Sequence, residues 1–131
     1  MKTVCIVGGG PAGLMAAYAT AKNGHRAILI EKNEKLGKKI YITGKGRCNL
    51  TNANDMETVR ANVITNPKFL FSAFAAFDNQ DIVRMVEEEG CPTKVERGMR
   101  VFPVSDHSSD LTRALQRRME RLGVEIRLYT C

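Results

Sequence analysis

The stretch TVCIVGGGPAGLMAAYATAKNGHRAILIE, residues 3–31, decides the fold of this chain. A short apolar run ends at three consecutive glycines, and a helical pattern rich in small residues begins at Pro11. Gly8, Gly10 and Gly13 have the spacing G-x-G-x-x-G, in which they serve the turn, the close approach of a diphosphate and the packing of helix on strand. The N-terminus of such a helix offers free N–H groups and a positive dipole end to the diphosphate.

A carboxylate ends the second predicted strand. Ala27–Ile30 is apolar, and Glu31 follows it roughly 20 residues after the glycines. A carboxylate at this position accepts hydrogen bonds from the ribose of adenosine and repels a 2′-phosphate. The pattern therefore predicts a site for a dinucleotide such as FAD or NAD rather than NADP, with an empty structural turn as the alternative.

The composition is that of an ordinary globular protein, with 44% hydrophobic and 26% charged residues in a chain of 131. These values predict one domain or part of one. No apolar run is long enough for a membrane span or a signal-peptide core. The four cysteines are far apart and form no C-x-x-C pair, which disfavours a metal site and a dithiol motif. We therefore expect reduced thiols, no membrane partner and a cytoplasmic location.

Most of the formal net charge of +6 lies in one stretch. Residues 32–47 contain six cationic side chains and one carboxylate, a local excess of +5. Because a bound diphosphate needs cations near the ribose-binding strand, we interpret this stretch as a cofactor cradle. A solvated basic loop and a nucleic-acid patch are the alternatives, and we expect no nucleic-acid partner.

The segment after Glu31 is too polar and glycine-rich for a core helix. Within it, residues 43–47 (TGKGR) have the composition of an anion-binding nest, although a surface turn ordered by short polar side chains fits equally well. The charge of Arg47 could lower the pKa of the neighbouring Cys48 thiol. Since no second thiol is near in sequence, we favour a packing or site-lining role for Cys48 over a catalytic one.

Further elements are predicted between the second strand and a last helix. Three helices begin at Asn54-Asp55, at Asn66-Pro67 and at a cap on Asn79, and a hairpin over residues 93–104 turns at Gly98. The phenylalanines of the second helix are assigned to the core rather than to a flavin wall. The last helix is capped by Asp106 or Ser108, and its arginines form a solvated face.

The last predicted strand covers residues 124–128, and the right-handed crossover rule places it beside the second strand. The predicted fold class is α/β, with an incomplete parallel sheet in the order 3-2-1 and an excursion over about residues 32–107. A doubly wound sheet also needs strands on the far side of strand 1. We therefore expect the N-terminal part of a larger protein, with an exposed sheet edge that invites self-association.

Five motifs carry a resemblance to a known family. They are GGGPAG at 8–13, Glu31-Lys32, GKKIYITGKGRCNLTN at 37–52, NPKFLFSAF at 66–74 and RVFPVSDHSSDL at 100–111. Together they strongly resemble the start of the bacterial BaiN/YhiN-type flavoproteins, a family of NAD(P)/FAD-dependent oxidoreductases also described as aminoacetone-oxidase-like. The resemblance covers the whole chain. Its first motif is common to many flavoproteins, whereas TGKGRCNLTN and RVFPVSD are close to specific.

The resemblance implies a Rossmann-like FAD-binding fold of the glutathione-reductase type and a set of cofactor-binding residues. Glu31 would bind the ribose, Lys32 would lie beside the adenosine, and the backbone just before Cys131 would contact the adenine. The diphosphate would lie at Gly8, Gly10, Pro11, Ala12 and Gly13. The diphosphate and flavin side would be lined by Lys39, Thr43, Gly44, Gly46, Arg47, Cys48 and Asn49.

Family members are longer and add an inserted substrate domain and a C-terminal glycine motif that closes over the flavin. The leading hypothesis is therefore the FAD-binding portion of a flavin-dependent oxidoreductase, reduced by NAD(P)H in the complete enzyme. The alternatives are a truncated, non-catalytic nucleotide-binding fragment and, less favoured, part of a tRNA-modifying flavoprotein. Neither a catalytic residue nor a substrate is assigned.

Overall fold

The computed structural model describes residues 1–131, which form six strands and six α-helices. In chain order these are β1 (Thr3–Val7), α1 (Pro11–Lys22), β2 (Arg26–Ile30), α2 (Lys38–Ile42), β3 (Thr51–Asn52), α3 (Met56–Ala61), α4 (Phe71–Ala76), α5 (Asn79–Glu88), β4 (Thr93–Glu96), β5 (Arg100–Pro103), α6 (Ser108–Arg121) and β6 (Glu125–Arg127). Two short 3-10 segments, Thr43–Gly46 and Pro67–Leu70, follow α2 and precede α4. None of these helices combines the length and the apolar character needed to cross a membrane.

A parallel sheet with the order β1-β2-β6 forms the centre of the molecule. Thr3 lies opposite Arg26 in the first pair, and Ile28 lies opposite Glu125 in the second. The predicted order 3-2-1 is therefore confirmed. Helices α1 and α6 contact each other, and both contribute fully buried side chains such as Ala17 to the core.

The outer edge of β1 pairs with no strand of the structure. Val7, the last residue of β1, is 84% exposed, and Cys5 on the same strand is also exposed. Residues of β1 are central in a doubly wound sheet. Here they form an open edge of the kind that readily accepts another strand.

The excursion between β2 and α6 contains a second, antiparallel sheet with the order β3-β5-β4. The predicted hairpin is confirmed as β4 and β5, and its turn has positive φ at Gly98 (75°) and Met99 (57°). The expectation that no core helix lies in the segment after Glu31 is wrong in part. Helix α2 forms there because Ile40 provides one apolar side chain that becomes buried.

The cap of α3 is confirmed and the cap predicted for α5 is wrong. Asp55 accepts a hydrogen bond from Thr58 N–H (2.8 Å) at the start of α3. Helix α5 is capped by Asp78, which forms a reciprocal capping box with Asp81. Asn79 is buried one position later, and its amide donates to backbone carbonyls of the excursion instead.

Helix α6 begins with His107 at the N-cap position and no side-chain cap. The predicted caps are used elsewhere: the Ser108 hydroxyl donates to Tyr41 C=O (3.1 Å), and Asp106 pairs with cationic side chains. Both residues therefore hold neighbouring segments of the excursion against the start of α6.

The solvated arginine face predicted for α6 is wrong at two positions. Arg117 donates to Glu89 C=O (3.0 and 2.5 Å), and Arg118, with a side chain only 17% exposed, lies 2.9 Å from the Glu89 carboxylate. That carboxylate is 1% exposed, and its approach to Arg118 Nε is an ion pair without hydrogen-bond alignment. The two arginines therefore attach α6 to the end of α5, whereas Arg113 and Arg121 are exposed as expected.

The phenylalanines divide between core and surface. Phe77 packs against the core and meets Tyr18 edge to face, with ring centroids 5.7 Å apart. Phe69 is 79% exposed, contrary to the core assignment. It lies in a 3-10 segment, where the repeat of three residues per turn moves it off the face shared by Phe74 and Phe77.

Candidate functional site

The glycine loop between β1 and α1 is attached to β2 by its backbone. Gly8 N–H donates to Ile30 C=O (2.7 Å), and Gly9 N–H donates to the Glu31 carboxylate (2.7 Å). Gly9 C=O in turn accepts from Gly37 N–H (2.8 Å), at the residue before α2. The protein's own hydrogen bonds therefore hold the glycine loop in place without a ligand.

The start of α1 leaves backbone donors free. Its first hydrogen bond runs from Leu14 N–H to Gly10 C=O (2.9 Å). The N–H groups of Gly10, Ala12 and Gly13 donate to no group of the protein, and Pro11 has none to offer. Three donors at the positive end of a 12-residue helix are the materials of an anion site.

Each glycine of the motif meets the requirement predicted for it. Gly8 turns the chain with φ of 103°, in the left-handed region that favours glycine. A Cβ at Gly10 would meet nothing within 4 Å, so the space above it is open to a ligand. A Cβ at Gly13 would overlap the Gly8 carbonyl oxygen, so close packing of helix on loop requires glycine there.

The Glu31 carboxylate points at the glycine loop and is 8% exposed. Oε2 accepts from Gly9 N–H, while Oε1 accepts from Asn33 N–H (2.9 Å) and from the Asn33 amide (2.8 Å). A carboxylate has about four acceptor positions, so three hydrogen bonds leave room for one more donor. A ribose hydroxyl is such a donor.

These bonds also set the ionisation of Glu31. The backbone N–H of Asn33 lowers the pKa of the carboxyl from its ordinary value, burial opposes this, and the Gly9 N–H adds to the lowering. The group is therefore a carboxylate at neutral pH, which is the form that only accepts hydrogen bonds.

The segment just past β6 runs beside Glu31. Thr130 N–H donates to Glu31 C=O (3.0 Å), and Tyr129 N–H donates to Asn33 C=O (3.1 Å). The backbone expected to contact adenine therefore lies next to the residue expected to bind ribose. Lys32, which lies between these contacts in sequence, is exposed and forms no ion pair.

The second predicted loop, Thr43–Asn49, has an unusual backbone. Positive φ angles occur at Gly44 (55°), Lys45 (57°), Gly46 (85°) and Cys48 (57°). A Cβ at Gly44 would lie 3.0 Å from Asn49 N, so the loop is tightly folded on itself. Thr43 donates to Ile40 C=O (2.8 Å), and the Asn49 side chain is exposed without a protein partner.

Arg47 holds this loop against the hairpin. Its guanidinium donates to Asp106 (2.6 and 2.9 Å) and to Glu96, and it lies 4.2 Å from the centroid of the Phe102 ring. Lys94 completes the network with an ion pair to Asp106 (2.9 Å). These hydrogen bonds engage the charge of Arg47 within the protein, so its predicted contact to a cofactor remains a prediction.

Cys48 is a buried thiol. It is 5% exposed, and burial raises its pKa, an effect reduced by a hydrogen bond with Thr43. The idea that Arg47 lowers this pKa fails because the arginine pairs with carboxylates instead. Cys91 is likewise buried, whereas Cys5 and Cys131 are exposed, and all four thiols are free. The packing or site-lining role favoured for Cys48 fits this environment.

The basic stretch is only partly neutralised. Lys38 pairs with Glu34 (3.1 Å), and Lys35 lies 3.7 Å from the centroid of the Tyr41 ring. The exposed side chains without an ion pair are Lys32, Lys39 and Lys45. These three exposed cations thus remain for a phosphate or for solvent.

A cavity of about 420 Å³ opens between α1, the Thr43–Asn49 loop and the excursion. Four of the predicted cofactor residues line it: Pro11, Thr43, Cys48 and Asn49. The remaining lining is mainly apolar and comes from all six helices, from β3 and from the residues that flank these elements. The structure therefore brings the second loop to the same region as the start of α1.

Two residues of this region were not assigned to the site from the sequence, although Asn79 was predicted as a helix cap. Asn33 fixes Glu31 with two hydrogen bonds, and its position two residues after the carboxylate is the kind of local signal that could have indicated this. Asn79 contacts residues 25 and 27 positions away, which nothing in the local sequence indicates.

Comparison with known proteins places the chain in a family. The model of the HI0933-like protein Rossmann domain matches residues 2–130. The chain is 33% identical over 129 residues to the 3-dehydro-bile acid delta(4,6)-reductase of Clostridium scindens, covering 96% of this chain and 31% of that protein. It is 32% identical over 124 residues to the ribosomal RNA dihydrouridine synthase of Haemophilus influenzae, covering 94% and 30%. The chain thus spans less than a third of the length of these relatives.

Other similarities concern the fold or short stretches of the chain. The crystal structure of Thermovibrio ammonificans THI4 superposes with a TM-score of 0.55 at 16% identity, covering 98% of this chain and 38% of that one, which shows a shared fold. Stretches of 36 to 41 residues are 44–54% identical to an NADH oxidase, an L-amino acid oxidase and flavin-containing monooxygenases.

The resemblance to the BaiN/YhiN-type flavoproteins predicted from the motifs is confirmed, because the family match extends over nearly the whole chain. The chain belongs to the HI0933-like Rossmann domain family and has the FAD-type Rossmann fold of flavin-dependent oxidoreductases.

Proposed function

We propose that this chain binds the adenosine diphosphate portion of FAD and forms part of a flavin-dependent reductase. The observation that carries the proposal is the meeting of the Glu31 carboxylate with the glycine loop. One hydrogen bond holds the Glu31 carboxylate, the proposed ribose acceptor, beside a helix start with three free donors, and this supports the proposal.

The residues present fit this cofactor. The diphosphate would receive hydrogen bonds from the free N–H groups of Gly10, Ala12 and Gly13, and the ribose would use the remaining acceptor position of Glu31. Lys32 and Lys39 supply unpaired positive charge nearby in sequence. The open space above Gly10 is the clearance that such a ligand needs.

When bound, FAD supplies hydride transfer through its isoalloxazine ring. The contribution of this chain is to bind and orient that ring and to exclude water. In the proposed complex the backbone of the Thr43–Asn49 loop lies close to the isoalloxazine ring. The residues proposed to contact the ring are Gly44, Gly46, Cys48 and Asn49. The apolar walls of the adjoining cavity, such as Leu14 and Phe77, would keep water away.

The proposed reaction is the reduction of a carbon–carbon double bond. The names of both long relatives describe the addition of hydrogen to a double bond, in a delta(4,6) bile acid and in uridine. NAD(P)H is the proposed electron donor of the complete enzyme. The substrate is left open.

We propose a cytoplasmic location for the protein, and the four free thiols support this assignment.

Titration with FAD tests the proposal. Quenching of flavin fluorescence by the purified chain, reversed by ADP, is the expected result, because the proposed contacts are to the adenosine diphosphate half. Absence of binding by both FAD and ADP would overturn it and leave a non-binding fragment. ADP tests the proposed site without requiring any contact to the flavin ring.

RNA modification is a second candidate, since one relative is a ribosomal RNA dihydrouridine synthase. The three unpaired lysines of the basic stretch could contact RNA phosphates, and such contacts weaken steeply with salt. Retention of a ribosomal RNA fragment that is lost between about 50 and about 200 mM salt would support it. Our expectation remains that the chain alone retains no RNA.

A further inference from the structure

Two motifs that are far apart in sequence form one structural unit. They are TGKGRCNLTN at residues 43–52 and RVFPVSD at residues 100–106. The guanidinium of Arg47 in the first motif lies 4.2 Å from the centroid of the Phe102 ring in the second. The same guanidinium donates to the carboxylate of Asp106, the last residue of the second motif. The second motif therefore supplies the surface against which the Thr43–Asn49 loop is held.

Asp106 lies in a turn that does not itself require a carboxylate. Its φ is 60°, and its N–H donates to Pro103 C=O (3.0 Å) where the chain leaves β5. Asparagine and glycine adopt this left-handed conformation as readily as aspartate does. Both carboxylate oxygens are nevertheless engaged. Oδ1 accepts from Arg47 Nε (2.9 Å) and Nη2 (2.6 Å), and Oδ2 accepts from Lys94 Nζ (2.9 Å). This position therefore contributes a negative charge between two cations.

The Thr43–Asn49 loop has few other side-chain connections. Four of its φ angles are positive, and two of these belong to Lys45 and Cys48, for which that conformation is unfavourable. Arg47 is the one side chain of the loop that forms hydrogen bonds with the hairpin or with the turn before α6. The conformation of the loop therefore depends on where the Arg47 guanidinium is held.

We propose that Asp106 is a positioning residue for the flavin half of the cofactor. Its carboxylate orients Arg47, and Arg47 fixes the Thr43–Asn49 loop in the conformation proposed to contact the isoalloxazine ring. Asp106 acts through Arg47 and makes no contact of its own with the ring. The inference rests on the proposed function, because the contact between loop and ring is part of that proposal.

The charge of Asp106 keeps Arg47 in place. The hydrogen bond from Lys94, followed by that from Arg47, lowers the pKa of Asp106, so the group is a carboxylate at neutral pH. Glu96 is the only other carboxylate that pairs with Arg47, so two cations are balanced by two anions. Without the charge at Asp106, one carboxylate would remain for two cations. Repulsion between Arg47 and Lys94 would then displace the guanidinium.

The test compares FAD with ADP in Asp106→Asn, which preserves the size of the side chain and suits the left-handed turn but removes the charge. In the unmodified chain we expect FAD to bind more tightly than ADP, because only FAD carries the ring that the loop contacts. The variant should lose about tenfold in FAD affinity and keep its ADP affinity, because the glycine loop and Glu31 are unaltered. Isothermal titration measures both ligands. Equal weakening of FAD and ADP, as a merely structural role would produce, or no change in either would overturn the inference.

Asp110→Asn is the matched control. Asp110 also pairs with an arginine (3.0 Å to Arg113), but it lies in the first turn of α6 and forms no hydrogen bond with the loop. The control should keep both affinities. Visible circular dichroism of bound FAD, which reports the surroundings of the ring, should change in Asp106→Asn and stay the same in Asp110→Asn. Equal loss of FAD affinity in the two variants would overturn the inference.

A double variant tests whether Asp106 acts through Arg47. Arg47→Met combined with Asp106→Asn should bind FAD no more weakly than Arg47→Met alone, because both changes remove the same link. Additive losses would overturn the inference. Should Asp106→Asn not fold, Arg47→Lys provides the same comparison of FAD with ADP, since lysine keeps the charge but lacks the planar fork that reaches Asp106 and Glu96 together. Arg47→Lys should lose FAD affinity and keep ADP affinity, and an equal effect on both ligands would overturn the inference.

The unmodified chain separates this inference from the proposed function. Binding of neither FAD nor ADP would overturn the proposed function and this inference with it. Binding of FAD and ADP with equal affinity would support the site for the adenosine diphosphate half and overturn this inference alone.

Discussion

Oε2 of Glu31 lies 2.7 Å from the backbone nitrogen of Gly9, so the end of β2 and the start of α1 are joined by a charge-assisted hydrogen bond. The carboxylate is held from its other side by Asn33. The proposed ribose acceptor and the proposed diphosphate donors are thereby fixed relative to each other before a ligand arrives, which lowers the conformational-entropy cost of binding.

Glu31→Gln should weaken binding of FAD and of ADP by about tenfold or more, because hydrogen bonds to a charged acceptor are about twice as strong as those to a neutral one. Isothermal titration with ADP measures the change. Glu34→Gln serves as control, since Glu34 is exposed and pairs only with Lys38 on the surface. An unchanged ADP affinity in Glu31→Gln would contradict the assignment of the ribose site.

The stability of the chain should depend on pH through Glu31. Since the pKa of Glu31 is lowered on folding, chiefly by the Asn33 N–H, its contribution is present above the unfolded pKa and disappears as pH falls through the folded one. We therefore expect the urea concentration at the midpoint of unfolding, recorded from about pH 7 to about pH 3, to decrease once the pH is lower than the ordinary glutamate pKa of about 4.3. Glu31→Gln should flatten part of this fall, and an identical profile in both proteins would contradict the expectation.

Two alanine substitutions should separate folding from binding at the glycine motif. Gly13→Ala should destabilise the chain by about 1–3 kcal/mol or more, because the added Cβ overlaps the Gly8 carbonyl oxygen. Gly10→Ala should change stability by no more than about 0.5 kcal/mol, since its Cβ meets nothing, yet it should impair FAD binding. Urea denaturation and FAD titration of both variants measure this. Equal destabilisation of the two would refute it.

Arg47→Met should loosen the Thr43–Asn49 loop. Removal of the guanidinium breaks its bonds to Asp106 and Glu96, and Lys45 in the same loop is an exposed trypsin site. Faster release of the fragment ending at Lys45, followed by mass spectrometry, is the expected result. Arg113→Met, which removes an exposed pair on α6, should leave the rate unchanged. A rate in Arg47→Met equal to that of the unmodified chain would show that the network does not order the loop.

The chain alone should self-associate through β1. The outer edge of this strand is unpaired, and Val7 is 84% exposed. Light scattering should show oligomers, and Val7→Lys should reduce them, because a lysine on an edge strand disfavours pairing. Lys22→Ala on α1 is a control that leaves this edge unaltered. A monodisperse monomer of the unmodified chain would count against this expectation.

Local patterns sufficed to predict the parts of the fold whose causes are local. The roles of the three glycines and the carboxylate at the end of β2 follow from the spacing of the motif and the length of the strand. The strand order β1-β2-β6 follows from the right-handed crossover. The assignments of Lys32, Lys39 and the ring-side loop residues to cofactor contacts come from family resemblance and remain predictions.

The misjudged positions depend on partners far along the chain. Arg47 pairs with Glu96 and Asp106, 49 and 59 residues away, so its sequence neighbours gave no sign that its charge was already used. The same holds for Arg118, whose carboxylate partners Glu88 and Glu89 lie at the C-terminal end of another helix, α5. A residue type indicates what a side chain can bind, and only the tertiary structure determines which partner it meets.

The distribution of the four thiols makes the chain ready for site-selective labelling without added cysteines. Cys5 lies in β1, Cys131 lies in the segment that follows β6, and both are exposed. Burial raises the pKa of Cys48 and of Cys91, which slows their reaction with maleimides. Two labels would therefore attach to Cys5 and Cys131, one in β1 and one beside the proposed ribose site, while the buried thiols stay unmodified.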